Sequence, residues 1–210
     1  MNSSMRDLSF IKVLIIVVVV FSIGFAGVYF IMQKQADFKA EQIFSQAKDY
    51  ARKNNTSLAL DYTDRAISYS KKFEYLYFKH EQLLKLGKGN EADFFLDKAL
   101  ELDHDRVDDL VVSGLLKIKL RKYVDGVERL KAAAKLDPEN TGIQFLLGSS
   151  LVDLLGKHEE GIEILEKTVQ FDPKFKKAWS SLFSAYMRKK DKDGALNALN
   201  RAIKLFPEDP

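Results

Sequence analysis

The fold is decided by residues 176–209, which read KKAWSSLFSAYMRKKDKDGALNALNRAIKLFPED. Each half of this segment carries apolar residues at i, i+3, i+4 and i+7, the spacing of an amphipathic helix. Pro207 follows the second half, and a proline can neither continue a helix nor leave the residue before it free to do so. The segment therefore predicts two helices joined by a short turn.

The same pattern recurs upstream. Segments similar to the tail IKLFPED occur as ALELDHD (99–105), AKLDPEN (134–140) and VQFDPKF (169–175), and Pro138, Pro173 and Pro207 lie 35 and 34 residues apart. A period of 34 residues is typical of the tetratricopeptide repeat. Residues 176–209 resemble that family at Trp179, Leu182, Tyr186, Ala195, Leu199, Ala202 and Pro207. Phe183 departs from the family pattern, which usually has a small residue there.

The resemblance implies an all-α fold, a right-handed superhelical solenoid of about five helix-turn-helix repeats. The repeat domain would cover residues 40–210, with copies at about 40–72, 73–106, 107–140, 141–175 and 176–209. The first copy matches the pattern least. A single helix pair cannot bury its apolar face, so the repeats are expected to stack and share a core.

A second feature is an apolar segment near the start of the chain. Residues 13–32 read VLIIVVVVFSIGFAGVYFIM and contain no charge, and 20 such residues are enough for a helix to cross a hydrocarbon core of ~30 Å. We interpret them as one N-terminal transmembrane helix, an uncleaved signal anchor, between a tail (1–12) and a helical linker (33–39). A cleaved signal peptide is disfavoured because the apolar run continues past Gly27.

The orientation of this anchor in the membrane depends on the charges that flank it. Lysines and arginines occur on both sides of residues 13–32, and their plain count favours a cytoplasmic repeat domain. Long domains, however, cross a membrane largely regardless of charge. We expect a single-pass protein of a bacterial inner membrane, with the N-terminus in the cytoplasm and the repeats on the periplasmic side.

The resemblance also implies that the first helix of each repeat lines a concave groove. Positions that usually face such a groove are apolar here: Phe44, Tyr77, Leu84, Val111, Leu115, Ile118, Phe145, Val152 and Met187. An apolar trough fits an amphipathic or apolar helix or peptide of a partner, including other membrane subunits. The alternative is that some of these side chains pack between repeats.

The far edge of the last repeat forms another candidate surface. Leu196, Ile203 and Phe206 would lack a following repeat to cover them, whereas terminal repeats usually have a polar outer face. We expect this edge to dock onto another subunit or a second copy of the chain, which would make a homo-oligomer. The alternatives are fraying, or an edge that is already polar enough.

Catalytic, cofactor and metal sites are not indicated. The chain has no cysteine, and His80, His104 and His158 stand in no metal-binding spacing. No nucleophile, base and orienting group are expected to come together. A formal net charge of +3 gives no basic footprint for nucleic acid. The locally basic stretch 117–123 is expected to be a solvated helix end, or a surface for lipid headgroups or an acidic partner.

The function that these patterns favour is a non-enzymatic, membrane-anchored scaffold or adaptor. It would bind protein partners during assembly or stabilisation of a membrane or envelope complex, and residues 13–32 would contact the lipid bilayer. Two alternatives remain open: a constitutive structural subunit of a membrane complex, and a cytoplasm-facing import or chaperone receptor.

Overall fold

The structure is a computed structural model that describes the backbone of residues 3–207 and the side chains of Ser22 and of residues 24–207. Ten helices and no strand occur in residues 3–207. The helices are α1 (Ser3–Arg52), α2 (Thr56–Tyr69), α3 (Phe73–Lys85), α4 (Gly89–Leu100), α5 (Val107–Lys119), α6 (Tyr123–Leu136), α7 (Thr141–Leu155), α8 (His158–Phe171), α9 (Lys176–Lys189) and α10 (Lys192–Leu205). The predicted all-α fold is confirmed for this part of the chain.

Polar side chains start several of these helices. Asn55, Asn140 and Asp191 each accept a hydrogen bond from the backbone N–H three residues later, at 2.9–3.2 Å. Such a cap satisfies one of the N–H groups that a helix leaves unpaired at its N-terminus. These residues therefore set where α2, α7 and α10 begin.

The chain divides after Gln82 into two compact units, residues 1–82 and residues 83–210. In the first unit, α1 packs against α2, and a small core forms around Phe44. The ring of Phe44 lies 4.3 Å from that of Tyr75 and 5.2 Å from that of Phe78, measured between ring centroids. The other buried residues of this core are Ala40, Ile43, Ala47 and Ala66.

Helix α1 continues without a break from Ser3 to Arg52, so the predicted helical linker at 33–39 lies inside it. At 1.5 Å per residue, its 50 residues extend about 75 Å. Residues 13–21 and Ile23 of the predicted anchor lie outside the residues whose side chains are described. Within the described part of the chain, none of the helices combines the length and apolar character needed for a membrane span.

The second unit is a stack of helix hairpins. The pairs α5–α6, α7–α8 and α9–α10 pack within themselves, and α4, α6 and α8 pack against the first helix of the next pair. Between the last two pairs, Leu165 and Val169 of α8 meet Trp179 and Leu182 of α9 in one apolar cluster. Each hairpin thus buries its apolar face against a neighbour, as repeat stacking requires.

Glycines allow the two helices of a hairpin to cross closely. A Cβ atom on Gly161 would lie 2.7 Å from the carbonyl oxygen of Gly148 and 2.5 Å from Cγ2 of Val152. A Cβ on Gly126 would lie 2.8 Å from the carbonyl oxygen of Gly114. These distances are too short for any side chain, so the α5–α6 and α7–α8 crossings depend on glycine.

Candidate functional site

An apolar cleft lies between the first turns of α5 and α7. It has a volume of about 530 Å³, and its walls include Val111 of α5 and Phe145 of α7. Phe175 closes one side, with its ring 5.0 Å from that of Phe145 in an edge-on arrangement. Asp108 and Lys177 also line this cleft and contribute one charge of each sign. The arrangement can accept apolar side chains and orient a ligand by its charges.

A smaller and more polar cleft lies between α7 and α9. It measures about 230 Å³, and Ser149, Ser180 and Ser184 are among its lining residues. Arg188 and Asp153 form an ion pair at 3.3 Å across this cleft. The hydroxyl of Ser149 is buried and has no hydrogen-bond partner among the described residues. The cleft therefore offers hydroxyls and a separable ion pair to a polar ligand group.

The structure brings two of the predicted groove residues together, since Val111 and Phe145 share the apolar cleft. Leu115 and Met187, also on first helices, are exposed, and Ile118 is half-buried. Leu84, near the end of α3, is exposed. These side chains remain available at the surface of the second unit.

Other predicted groove residues pack inside the protein. Phe44 is fully buried in the core of the first unit, and Val152 is almost completely buried beneath the serine-lined cleft. The burial of Phe44 agrees with the packing alternative, whereas Val152, although buried, is one of the residues that line the serine-lined cleft. Tyr77 is half-buried, with its ring stacked on Phe73 at 5.5 Å.

The predicted docking edge lies on α10 and just after it. Leu196 and Ile203 are exposed, and Phe206 is half-buried against the apolar cluster. A third cleft, of about 590 Å³, opens here between α9 and α10, with Ile203 and Phe206 among its lining residues. The amino group of Lys176 lies 5.2 Å from the centre of the Phe206 ring.

A buried group of charges joins α4, α5 and α6. The Lys117 amino group donates to Asp93 and to Asp97, both at 2.8 Å, and Lys122 donates to Asp93 at 2.7 Å. Arg129 donates to Asp97 at 2.8 Å. The side chains of Asp93 and Lys117 are only 3% and 6% exposed. We call these five residues the charge network.

The network shifts the proton affinities of its buried members. Burial acts to raise the pKa of the Asp93 carboxyl, but hydrogen bonds from Lys117 and Lys122 outweigh it and hold the pKa below its ordinary value. Burial likewise acts to lower the pKa of Lys117, and its hydrogen bonds to Asp93 and Asp97 raise it overall. Both groups are therefore charged across the neutral range.

The sequence pattern did not indicate this network. The basic stretch 117–123, predicted to be a solvated helix end or a surface for lipid headgroups or an acidic partner, contains Lys117 and Lys122, which bind acids of the same chain. One signal was present in the sequence. Asp93 occupies the repeat position that Val127 and Ile162 hold in the following copies, so an acid stands on an otherwise apolar face.

Groups suited to bond-making chemistry are sparse in the described residues. No three His, Asp or Glu side chains of the described part are placed to hold a metal ion. The two clefts on the first helices present apolar side chains, hydroxyls and single charges.

Comparison with known proteins adds a family match at the end of the chain. Residues 177–209 match the family model of the tetratricopeptide repeat. The human protein O-mannosyl-transferase TMTC1 is 24% identical over 125 residues, covering 60% of this chain and 14% of that protein. A DnaJ protein of Oryza sativa subsp. japonica is 34% identical over 84 residues, 40% of this chain and 18% of its own length. The chain thus spans less than a fifth of either relative.

Solved structures share the fold over most of the chain. YrrB, described as a TPR protein with an unusual peptide-binding site, has a TM-score of 0.65 at 22% identity, covering 79% of this chain and 86% of its own. MamA from Desulfovibrio magneticus has a TM-score of 0.62 at 25% identity, with 82% and 98% covered. The family match is thus confined to residues 177–209, and the solved structures share the all-α repeat fold over most of the chain.

Proposed function

We propose that this protein is a membrane-anchored adaptor without catalytic activity, which binds protein partners during assembly or stabilisation of a membrane or envelope complex. The observation that carries the proposal is the apolar cleft at Val111 and Phe145, flanked by Asp108 and Lys177. Apolar contacts supply most of the binding free energy at such sites, and flanking charges set the register of the bound segment.

The ligand class follows from the shape and chemistry of the two clefts. Apolar walls beside a serine-lined cleft suit a helix or extended peptide with one apolar and one polar side. The peptide-binding site named for YrrB belongs to a protein of the same fold and supports this choice. The exposed side chains of Leu115 and Met187 extend the apolar surface available to such a segment.

The membrane anchor is the second part of the proposal. From Phe25 to Met32, α1 presents a run of exposed apolar side chains that no other part of the described chain covers. The Lys34 amino group lies 5.0 Å from the centre of the Phe30 ring, an aromatic and basic pair that suits a membrane interface. We place residues 13–32 in a bacterial inner membrane and the repeats on the periplasmic side.

Site-specific photo-crosslinking in intact cells tests the binding surface. A photoreactive phenylalanine replaces Leu115 or Met187, and a matched variant carries it at Val124, an exposed apolar position on the second helix α6. We expect the two first-helix positions to give the same adduct and the control position to give none. If the adduct pattern from Val124 equals that from Leu115, the binding surface is not where we place it.

The cleft itself is tested by substitution. Phe145→Ser should lower adduct formation from Leu115 by about 10-fold, because truncating an aromatic residue at the centre of an interface typically costs more than ~1 kcal/mol of binding free energy. A control change at an exposed second-helix position, Gln170→Ser, should leave it unchanged. Circular dichroism of each variant confirms that the fold is kept.

Anchor and orientation need a separate measurement. Protein in membrane fractions should resist extraction by alkaline carbonate, and protease added to spheroplasts should remove the repeats while leaving the N-terminal segment protected. Release by carbonate would refute the anchor. Protection of the repeats in intact spheroplasts would place them in the cytoplasm and favour the receptor alternative.

A further inference from the structure

The outer face of α10 is exposed where its counterpart in the preceding repeat is covered. Leu196, Leu199 and Ile203 are 57%, 41% and 52% exposed. The residues 34 positions earlier, Ile162, Leu165 and Val169, are 8%, 0% and 1% exposed because α9 packs over them. The last hairpin therefore carries an apolar face of the type that this fold elsewhere buries against a helix.

The shape of this face indicates what covers it. The cleft between α9 and α10 has a volume of about 590 Å³ and is lined on the α10 side by Leu199, Ala202, Ile203 and Phe206. Leu196 does not line this cleft; it is an exposed residue of α10 that lies two turns before Ile203, about 10 Å from it along the helix. One helix thus carries both an apolar projection and an apolar recess.

We propose that this face is closed by the same face of a second copy of the chain, with the two α10 helices antiparallel about a two-fold axis between Leu199 and Asn200. That axis sets Leu196 of each copy level with Ile203 of the other, so each projection enters the other copy's recess. A two-fold interface requires this reciprocity, in which residue i meets j and j meets i.

The positions of charged residues support the same alignment of the two α10 helices. In this pairing Asp193 of one copy is level with Phe206 of the other, and Phe206 is where the Lys176 amino group lies, 5.2 Å from the ring centre. Each two-fold pair would therefore form two Asp193–Lys176 ion pairs at the ends of an apolar centre. A polar rim around an apolar core is the usual anatomy of a protein interface.

Head-to-tail stacking of copies is disfavoured by the first repeat. Its first-helix segment, residues 40–52, exposes only polar side chains: Glu41, Gln42, Ser45, Gln46, Asp49 and Arg52. A copy stacked in this way would place the apolar α10 face against polar groups and leave it poorly buried. The two-fold pair instead matches apolar with apolar and closes after two copies.

Disulfide trapping tests the pairing directly, because the chain has no native cysteine. Asn200→Cys places a thiol beside the proposed axis, and Asn90→Cys, exposed on α4, is the matched control. Full-length protein in detergent is oxidised under identical conditions and analysed on non-reducing gels. We expect covalent dimer from Asn200→Cys to form at least ~10-fold faster than from Asn90→Cys.

Two further variants separate this contact from other associations, including contacts through α1. In the Asn200→Cys background, Leu196→Asp should abolish the rapid crosslink. Asp193→Lys and Lys176→Asp should each slow it several-fold, and the two together should restore it, since the exchange re-forms the pair with reversed signs.

Equal rates for the two cysteine variants, or a crosslink that Leu196→Asp does not reduce, would overturn the proposal, as would a double charge exchange that fails to recover the rate. Those outcomes assign the face to a different protein or to solvent. The proposal does not depend on the adaptor function, because neither the apolar cleft nor the serine-lined cleft enters the test.

Discussion

Removing the central cation of the charge network is the sharpest test of how the second unit holds together. Lys117→Met keeps most of the side-chain volume and deletes the amino group that lies 2.8 Å from both Asp93 and Asp97. Asp97 keeps its bond from Arg129, and Asp93 keeps only the bond from Lys122, whose side chain is 41% exposed. After the substitution, the Asp93 carboxylate remains buried and its negative charge is only partly neutralised.

The expected cost follows from this geometry. Breaking a buried ion pair from one side typically costs ~3–5 kcal/mol, because the remaining charge stays desolvated. We expect the lower end, about 3 kcal/mol, since Lys122 still neutralises Asp93 in part. For a chain of 210 residues, with ~2–4 °C of melting temperature per kcal/mol, this corresponds to a fall of about 6–12 °C.

The assay is thermal unfolding followed by far-ultraviolet circular dichroism, with a surface ion pair as control. Lys167 pairs with Glu163 at 2.8 Å, but both side chains are more than half exposed, so Lys167→Met should cost at most ~0.5 kcal/mol. A Lys117→Met midpoint no lower than that of Lys167→Met would refute our reading of the network.

A double variant checks the cause of the loss. Asp93→Leu combined with Lys117→Met removes both buried charges and restores the apolar residue type that Val127 and Ile162 supply at the equivalent positions. Replacing a buried pair with packed apolar groups is often neutral or stabilising. The double variant should recover most of the loss, and failure to do so would assign the cost to packing instead of charge.

Two further predictions concern the same unit. Gly161→Ala should lower the free energy of unfolding by ~1–3 kcal/mol, because the new Cβ would lie 2.7 Å from the Gly148 carbonyl oxygen. Gly142→Ala is the control, since the nearest atom to a Cβ there would be a side-chain oxygen at 3.3 Å. Urea unfolding compares the two variants. The lowered pKa of the Asp93 carboxyl stabilises the folded state at pH values above 3.8, the ordinary pKa of this group. This stabilisation is lost as pH falls through the lower pKa of the folded state. The pKa of Lys117 is raised, so the contribution of Lys117 is kept until pH rises above 10.5. Urea midpoints from pH 2 to 7 should therefore fall more steeply with acid in the parent chain than in the Asp93→Leu, Lys117→Met variant, and parallel curves would contradict this assignment.

The helices were predictable because their signals are local. Apolar residues recur with helical spacing, and Pro138, Pro173 and Pro207 follow the ends of α6, α8 and α10. Residues 28–54 contain no Gly or Pro, and α1 runs without a break from Ser3 to Arg52. Each of these inferences needs only neighbours within a few residues along the chain.

The surfaces were predictable only in part. Val111 and Phe145, which family position selects as groove residues, line one cleft, whereas Phe44 and Val152, selected by the same rule, are buried. The position of a residue within the repeat predicts which face of the helix it occupies. It does not state how closely the neighbouring helix approaches, and at Val152 that approach is set by Gly161 across the hairpin.

The amino-acid sequence alone predicted helical hairpins with a period near 34 residues and an uncharged segment before them. Both properties can be read from the order of neighbouring residues along the chain. Tertiary packing decided that Lys117 is an internal cation, that Val152 belongs to the core, and that Leu196 stays exposed where Ile162 is covered. Burial and charge pairing depend on residues of different helices, which meet only when the two helices of a hairpin pack together and the hairpins then stack.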